Sequence, residues 1–158
     1  MHEQLAGELG VVALDHTAIA VHSIDAALSL YRDLLGGEPL GRPSASAQRG
    51  FQVLALRYPN GSHVELLSPI GTDGFLHQFL QKRGEGVHHL TFRVHDLRQA
   101  VERAKAAGLR VVDEDYSNER WQEAFISPRS AFGTIVQLAQ TTVRRVSPSQ
   151  HFSETLLQ

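Results

Sequence analysis

Two histidines and two residues with carboxylate or amide oxygens occupy matching places in the two halves of the chain. His16 and His89 begin the similar segments HTAIAVHSIDAA and HLTFRVHDLRQA, which lie 73 residues apart. Glu65 in GSHVELL and Gln137 in GTIVQLA form a second matching pair, 72 residues apart. Imidazole nitrogens with carboxylate and amide oxygens suit divalent ions of the first transition series. The duplication therefore predicts a metal site built from these four residues.

The composition limits the classes of function. The chain has 158 residues, 42% of them hydrophobic, which is typical of one compact domain with a real core. A formal net charge of −2 gives no indication of nucleic acid or an anionic membrane as a partner. Because cysteine is absent, nitrogen and oxygen atoms must hold any metal. There is no membrane-length apolar run and no signal-peptide pattern, so we expect a cytoplasmic location.

The elements that must position these residues form a βαβββ pattern, which first appears over residues 12–70. Leu14–Val21 alternates as a strand does, and Ser23 can cap the helix that follows. A short strand and a polar loop at 41–49 come next. Two further strands are joined by Pro59-Asn60-Gly61, and Asn-Gly between alternating segments is a strong hairpin signal.

The same pattern recurs over residues 86–140, with a strand at Val87–Val94 and a helix capped by Asp96. A short amphipathic helix within the linker 71–84 joins the two modules. We therefore predict an α+β fold of paired βαβββ modules forming a curved mixed sheet around a metal cleft. Residues 1–140 make one domain in this prediction, and residues 141–158 make a C-terminal tail.

Strand alternation predicts which way the four residues face. If the apolar residues of each first strand pack under the helix, His16 and His89 lie on the opposite face. His88 then falls on the helix side and is a poorer ligand candidate. Glu65 and Gln137 also lie opposite the apolar residues of the last strands, so all four side chains can line one concave side.

Four segments carry a resemblance to a known family. Over residues 14–140 the chain resembles the vicinal oxygen chelate superfamily, which includes glyoxalase I and the extradiol dioxygenases, and within it most closely the methylmalonyl-CoA epimerases. The resemblance implies a glyoxalase-like fold and a divalent metal held by His16, Glu65, His89 and Gln137. The segments are LDHTAIAV (14–21), VELLSPIG (64–71), FLQKRGEGVHHLTFRV (79–94) and FISPRSAFGTIVQLAQ (125–140).

Two amides depart from the epimerase pattern. Such epimerases have a glutamate where Gln137 stands, as ligand and acid/base group, and another in the third strand at the position aligned with Gln52. The resemblance thus implies catalytic roles for Glu65, Gln137 and Gln52, although an amide cannot take up a proton at neutral pH. Glu65 could act as base only by leaving the metal. Further candidates for the base are Glu123, Glu114, Tyr116 and a hydroxide on the metal.

The ligand set favours proton transfer next to a carbonyl group. A dication with one carboxylate leaves the site near +1, which suits the stabilisation of an enolate. We expect a metal-dependent epimerase, isomerase or lyase that acts on a small carbonyl, carboxylate or acyl-CoA substrate as a homodimer. The metal is zinc, cobalt, nickel, manganese or iron. The alternatives are a glyoxalase I-like lyase, a non-haem Fe(II) dioxygenase and a non-catalytic small-molecule binding module.

Overall fold

The computed structural model describes residues 7–46 and 49–143, which divide into two compact units. One unit comprises His16–His88. The other combines the described residues up to Asp15 with those from His89 onward. The prediction of one domain over 1–140 stays a prediction, and most of the predicted tail, from residue 144 on, lies outside the described residues.

The first module has the predicted βαβββ order with one further strand, which lies within the segment predicted as a loop. Its sheet has the strand order β2-β4-β5-β1, with β3 paired to β4 in place of the loop predicted over 41–49. β1 runs parallel to β5, and the other pairs are antiparallel. The elements are β1 (Val11–Ala20), α1 (Ile24–Leu28) continued by a π-helical segment (Ser29–Leu34), β2 (Glu38–Pro39), β3 (Ser44–Ser46), β4 (Phe51–Arg57), β5 (His63–Pro69) and the linker helix α2 (Phe75–Arg83).

The second module repeats this arrangement. Its strand order is β6-β9-β8-β7, and β6 runs parallel to β9 while the other pairs are antiparallel. The boundary between the two compact units falls inside β1 and β6, the first strands of the modules. The elements are β6 (Gly86–Val94), α3 (Leu97–Ala106), β7 (Val111–Asp115), β8 (Gln122–Ile126) and β9 (Ile135–Gln140).

Both crossover helices begin at the predicted caps. The Ser23 hydroxyl accepts a hydrogen bond from the Ala26 amide at 3.2 Å, and the Asp96 carboxylate accepts one from the Gln99 amide at 3.0 Å. Each cap satisfies a backbone N–H group that has no partner within the helix. The sharp turn from strand to helix is therefore specified locally in both modules.

The helices cover defined faces of the sheets. α1 packs on the face of β5 that carries Leu66, whereas α2 packs on the opposite face, which carries Leu67. α3 covers one face of the second module through Leu97 and Val101. Fully burying a leucine side chain contributes roughly 1.5–3 kcal/mol to the stability of the fold. Because the apolar strand residues are held under α1 and α3 in this way, their neighbours along each strand point away from these helices. None of the described helices is long and apolar enough to cross a membrane.

His88 belongs to the packing around α2. Its ring centroid lies 4.7 Å from that of Phe79 and 5.7 Å from that of Phe75. Burial, with a smaller contribution from the positive charge of Arg83, lowers the pKa of His88 from 6.5 to about 4. The structure thus places His88 as a neutral packing residue, consistent with its prediction as the poorer ligand of the His88-His89 pair.

This burial predicts a loss of stability in acid. The unfolded chain binds a proton at His88 below pH 6.5 and the folded chain only below about pH 4, so the free energy of unfolding falls as the pH drops through that window. A shift of this size corresponds to roughly 3 kcal/mol. His88→Phe should remove this part of the pH dependence in urea unfolding measured from pH 7 to pH 4. An unchanged difference between the two pH values would contradict the assignment.

Candidate functional site

His16 and Glu65 come together in the first module because of the pairing between β1 and β5. Ala18 pairs with Glu65 across the two parallel strands, and His16 lies two residues earlier on the same face as Ala18. The His16 Nε2 atom is 3.1 Å from the Glu65 Oε2 atom. The His16 side chain is 1% exposed and that of Glu65 is 18% exposed, so the pair is reached from the Glu65 side.

The separation of these two atoms suits a shared metal ion. Nitrogen and carboxylate oxygen ligands lie about 2.0–2.2 Å from such an ion, so two ligands at a right angle are about 3 Å apart. The observed 3.1 Å between His16 Nε2 and Glu65 Oε2 matches that spacing. His16 and Glu65 therefore fit as two ligands of a divalent cation.

Gln137 holds the equivalent register position in the second module. Thr91 on β6 pairs with Gln137 on β9, as Ala18 pairs with Glu65. His89 lies two residues before Thr91, as His16 lies two residues before Ala18. The equivalence of Glu65 and Gln137 that the sequence offsets predicted is thus confirmed by the strand register.

A chain of hydrogen bonds surrounds Gln137. The Thr91 hydroxyl donates to the Gln137 Oε1 atom, and the Gln137 Nε2 atom donates to the Glu123 Oε2 atom at 2.7 Å. The Trp121 indole N–H donates to the same Glu123 oxygen at 2.8 Å. Thr91, Gln137 and Glu123 are all buried. The second module therefore places the buried carboxylate of Glu123 next to the Gln137 amide, which occupies the position that Glu65 has in the first module.

His89 is buried on the same face of β6 as Thr91. Its ring meets the Phe125 ring edge-on, with centroids 6.1 Å apart and an interplanar angle of 86°. Phe125 pairs with Gln137 across β8 and β9, so the three side chains share a face. Among residues 7–46 and 49–143, no three His, Asp or Glu side chains form a metal site by themselves. The four-ligand site stays a prediction.

Gln52 does not lie with Glu65. It pairs with Ser68 across β4 and β5, and its Nε2 atom donates to the Ser68 hydroxyl at 2.9 Å. Glu65 pairs instead with Ala55, three residues along β4, and side chains three apart on a strand point to opposite faces. The register thus puts Gln52 on the face opposite Glu65, and its catalytic role stays a prediction.

Glu114 and Tyr116 belong to the α3 side of the second module. Tyr116 packs against the α3 core with its ring under the Arg98 guanidinium, 4.0 Å from the ring centroid, and donates to Glu114 at 3.0 Å. The hydrogen bonds from Lys105 and Tyr116 lower the pKa of Glu114. Burial and the bond to Glu114 raise the pKa of Tyr116 to about 12. Both residues serve a surface network.

Glu123 is the residue that sequence reasoning did not separate from its competitors, Glu114 and Tyr116. It lies on β8 two residues before Phe125, so it shares the face of Gln137. The available signal was a carboxylate directly before the apolar residues Ala124-Phe125-Ile126 of β8. It distinguishes Glu123 from the other candidates only when the pairing of β8 with β9, which brings Glu123 to Gln137, is known.

Comparison with known proteins finds similarity along most of the chain. The model of the glyoxalase/bleomycin resistance protein/dioxygenase superfamily matches residues 15–125. The ethylmalonyl-CoA/methylmalonyl-CoA epimerase of Cereibacter sphaeroides is 34% identical over 131 residues, which cover 80% of this chain and 96% of that protein.

Solved structures agree with this similarity. Methylmalonyl-CoA epimerase from Mycobacterium tuberculosis superposes with a TM-score of 0.78 at 29% identity, covering 89% of this chain and 95% of that one. A Streptomyces coelicolor methylmalonyl-CoA epimerase variant in complex with 2-nitronate-propionyl-CoA gives a TM-score of 0.73 at 27% identity, covering 84% and 99% of the two chains.

The Thr91–Gln137 bond predicts a measurable stability effect. Thr91→Val keeps the shape of the side chain but removes the donor to the buried Gln137 oxygen, which should lower the free energy of unfolding by about 1–3 kcal/mol. Urea unfolding measures the change. Thr17→Val, at a half-buried position of β1, is the matched control and should shift stability much less. Equal losses in the two variants would count against the hydrogen-bond chain.

Proposed function

Because this chain belongs to the glyoxalase/bleomycin resistance protein/dioxygenase superfamily, we propose that it epimerises a branched malonyl thioester. It is an epimerase-like enzyme with a glyoxalase-like α+β fold. The substrate class is 2-methylmalonyl-CoA or 2-ethylmalonyl-CoA, the compounds in the names of its relatives. The observation that supports this most is the contact between buried His16 and the partly exposed Glu65, whose register position recurs at Gln137.

Epimerisation requires an environment that tolerates negative charge. The C–H bond between the thioester carbonyl and the carboxylate breaks as a base takes the proton, and its electron pair moves toward the thioester oxygen. The electron pair then returns to the α-carbon, which takes a proton from water on the other face. Members of this superfamily typically use a divalent metal ion. Such an ion would stabilise the developing negative charge. We propose His16, Glu65, His89 and Gln137 as its ligands, with zinc, cobalt, nickel, manganese or iron as the ion.

The proton must be carried by a carboxylate or an imidazole, because the amides of Gln137 and Gln52 cannot carry it. We assign removal of the proton to Glu65, which would have to leave the ion to act as base. Its side chain keeps 18% exposure and is therefore accessible to a substrate. Gln137 contributes an amide oxygen as ligand. His16, whose Nε2 atom lies 3.1 Å from the Glu65 Oε2 atom, would hold the ion next to that carboxylate.

Exchange of the substrate α-proton with solvent deuterium tests this function. The metal-loaded protein should exchange the α-proton of 2-methylmalonyl-CoA or 2-ethylmalonyl-CoA for deuterium from the solvent. NMR measures the loss of the α-proton signal. Glu65→Gln should lower the exchange rate by at least about 100-fold, because the proton acceptor is lost. Glu114→Gln, a carboxylate on the α3 side, should exchange at the rate of the unaltered protein. Turnover of a hemithioacetal without malonyl thioester exchange would instead establish the glyoxalase alternative.

We also propose that the protein is a cytoplasmic homodimer. The support is the first half of β1, where Val12 and Leu14 are 54% and 57% exposed at alternate positions and so present an apolar strand face. Light scattering should give about twice the monomer mass. Leu14→Glu should shift the protein toward the monomer, whereas Leu34→Glu, an exposed leucine of the π-helical segment, should not. A monomer at all concentrations would exclude the dimer.

A further inference from the structure

We propose that Glu123 is a positioning carboxylate for Gln137, and that it supplies, one hydrogen bond behind the cation, the negative charge that Gln137 lacks. This inference rests on the proposed function, because it concerns the cation that Gln137 would help to hold. It assigns a role to a buried carboxylate that is not itself one of the proposed ligands. Its basis is the hydrogen-bond chain Thr91–Gln137–Glu123–Trp121.

The carboxylate fixes the orientation of the Gln137 amide. An ionised carboxylate only accepts hydrogen bonds, so the end of the amide that lies 2.7 Å from Glu123 must be the NH2 group. The reverse orientation would place the amide oxygen against the carboxylate oxygen. The Gln137 oxygen therefore points toward Thr91 on β6, the strand that also carries His89. An amide held in this way presents its oxygen, and not its nitrogen, as a metal ligand.

Trp121 holds the carboxylate itself. An indole N–H can only donate, and it reaches the same Glu123 oxygen that accepts from Gln137. The Glu123 Oε2 atom thus receives two N–H groups from two sides. With its residue only 7% exposed, Glu123 has little freedom to turn away from Gln137.

The charge of Glu123 would balance the charge of the proposed site. A dication with one anionic ligand would carry about +1, and the Glu123 carboxylate, hydrogen-bonded to the ligand Gln137, would supply a second negative charge. A charge in a buried position is screened much less than one in water. The N–H···carboxylate bond also draws negative charge onto the amide oxygen, as carboxylates behind metal-bound histidines increase the basicity of the ligand.

Exchanging the two side chains tests this role. Four proteins are compared by isothermal titration with Zn²⁺ and with Co²⁺: the unaltered protein, Glu123→Gln, Gln137→Glu combined with Glu123→Gln, and Glu114→Gln as a surface control. Glu123→Gln should weaken metal binding by about 10–100-fold, as loss of such outer partners does. The exchanged pair, which keeps one carboxylate and one amide in contact, should bind within a few-fold of the unaltered protein.

Two further readouts separate positioning from folding. Trp121 is the chain's one tryptophan, so its fluorescence reports on Glu123 and should change with the same midpoint as the calorimetric titration. Thermal unfolding without metal should differ little between the unaltered protein and the exchanged pair. That pair keeps the test valid if Glu123→Gln alone does not fold.

Each outcome decides between the two proposals. If Glu123→Gln binds metal as tightly as the unaltered protein, or the exchanged pair binds as weakly as Glu123→Gln alone, the role of Glu123 is overturned and the proposed function stands. If the unaltered protein binds neither of these metals, and titration with Ni²⁺, Mn²⁺ and Fe²⁺ also shows no binding, the proposed metal-dependent function fails and this inference fails with it.

Discussion

The parallel pairing of the first and last strand in each module is the constraint on which the rest of this structure depends. Two parallel strands cannot be joined by a tight turn, so each module needs a crossover, and α1 and α3 supply it. The helix then covers one face of its sheet and takes the apolar side chains of that face. Glu65 and Gln137 lie on the other face, which in the first module is also covered by α2 next to Leu67. The shared register makes Glu65 and Gln137 equivalent residues of their modules.

The two modules satisfy their buried polar groups differently within this common frame. In the first, Ala18 stands beside Glu65, and the carboxylate meets the imidazole of His16. In the second, Thr91 occupies the place of Ala18, and its hydroxyl binds Gln137. The carboxylate of the second module lies one strand further along, at Glu123. The two modules thus share the strand register, but the carboxylate lies on the last strand, β5, in the first module and on the strand next to the last, β8, in the second.

The neighbouring strand shows how that move is accommodated. Glu123 pairs with Ala139, two residues beyond Gln137, and in the first module the equivalent pair is Val53 with Leu67. Val53 and Leu67 contribute to the core under α2. In the second module, the indole of Trp121 and the amide of Gln137 satisfy a carboxylate at that position.

Local signals in the sequence were enough for the helix caps, the hairpin and the equivalence of the two modules, because each depends on neighbouring residues or a fixed offset. β3 escaped prediction because Ser44-Ala45-Ser46 is short and lies in a polar segment, and its place is set by pairing with β4. Gln52 was singled out by its alignment with a glutamate of the family, and along a strand a shift of one residue reverses the face. Glu123 could not be ranked for the same reason, since its importance arises from a partner on another strand.

The residue before each predicted ligand histidine shows how packing secures the ligand. His88 is held by the aromatic rings of α2, and Asp15, at the matching position before His16, has a side chain 1% exposed and 3.6 Å from Arg93. Adjacent residues of a strand point to opposite faces, so the contacts of His88 fix the face of His89, and the contact of Asp15 fixes the face of His16. The anchors differ in chemistry, one neutral and aromatic and the other ionic. The two modules therefore share the direction of the histidine side chain, and they differ in the contacts that fix this direction.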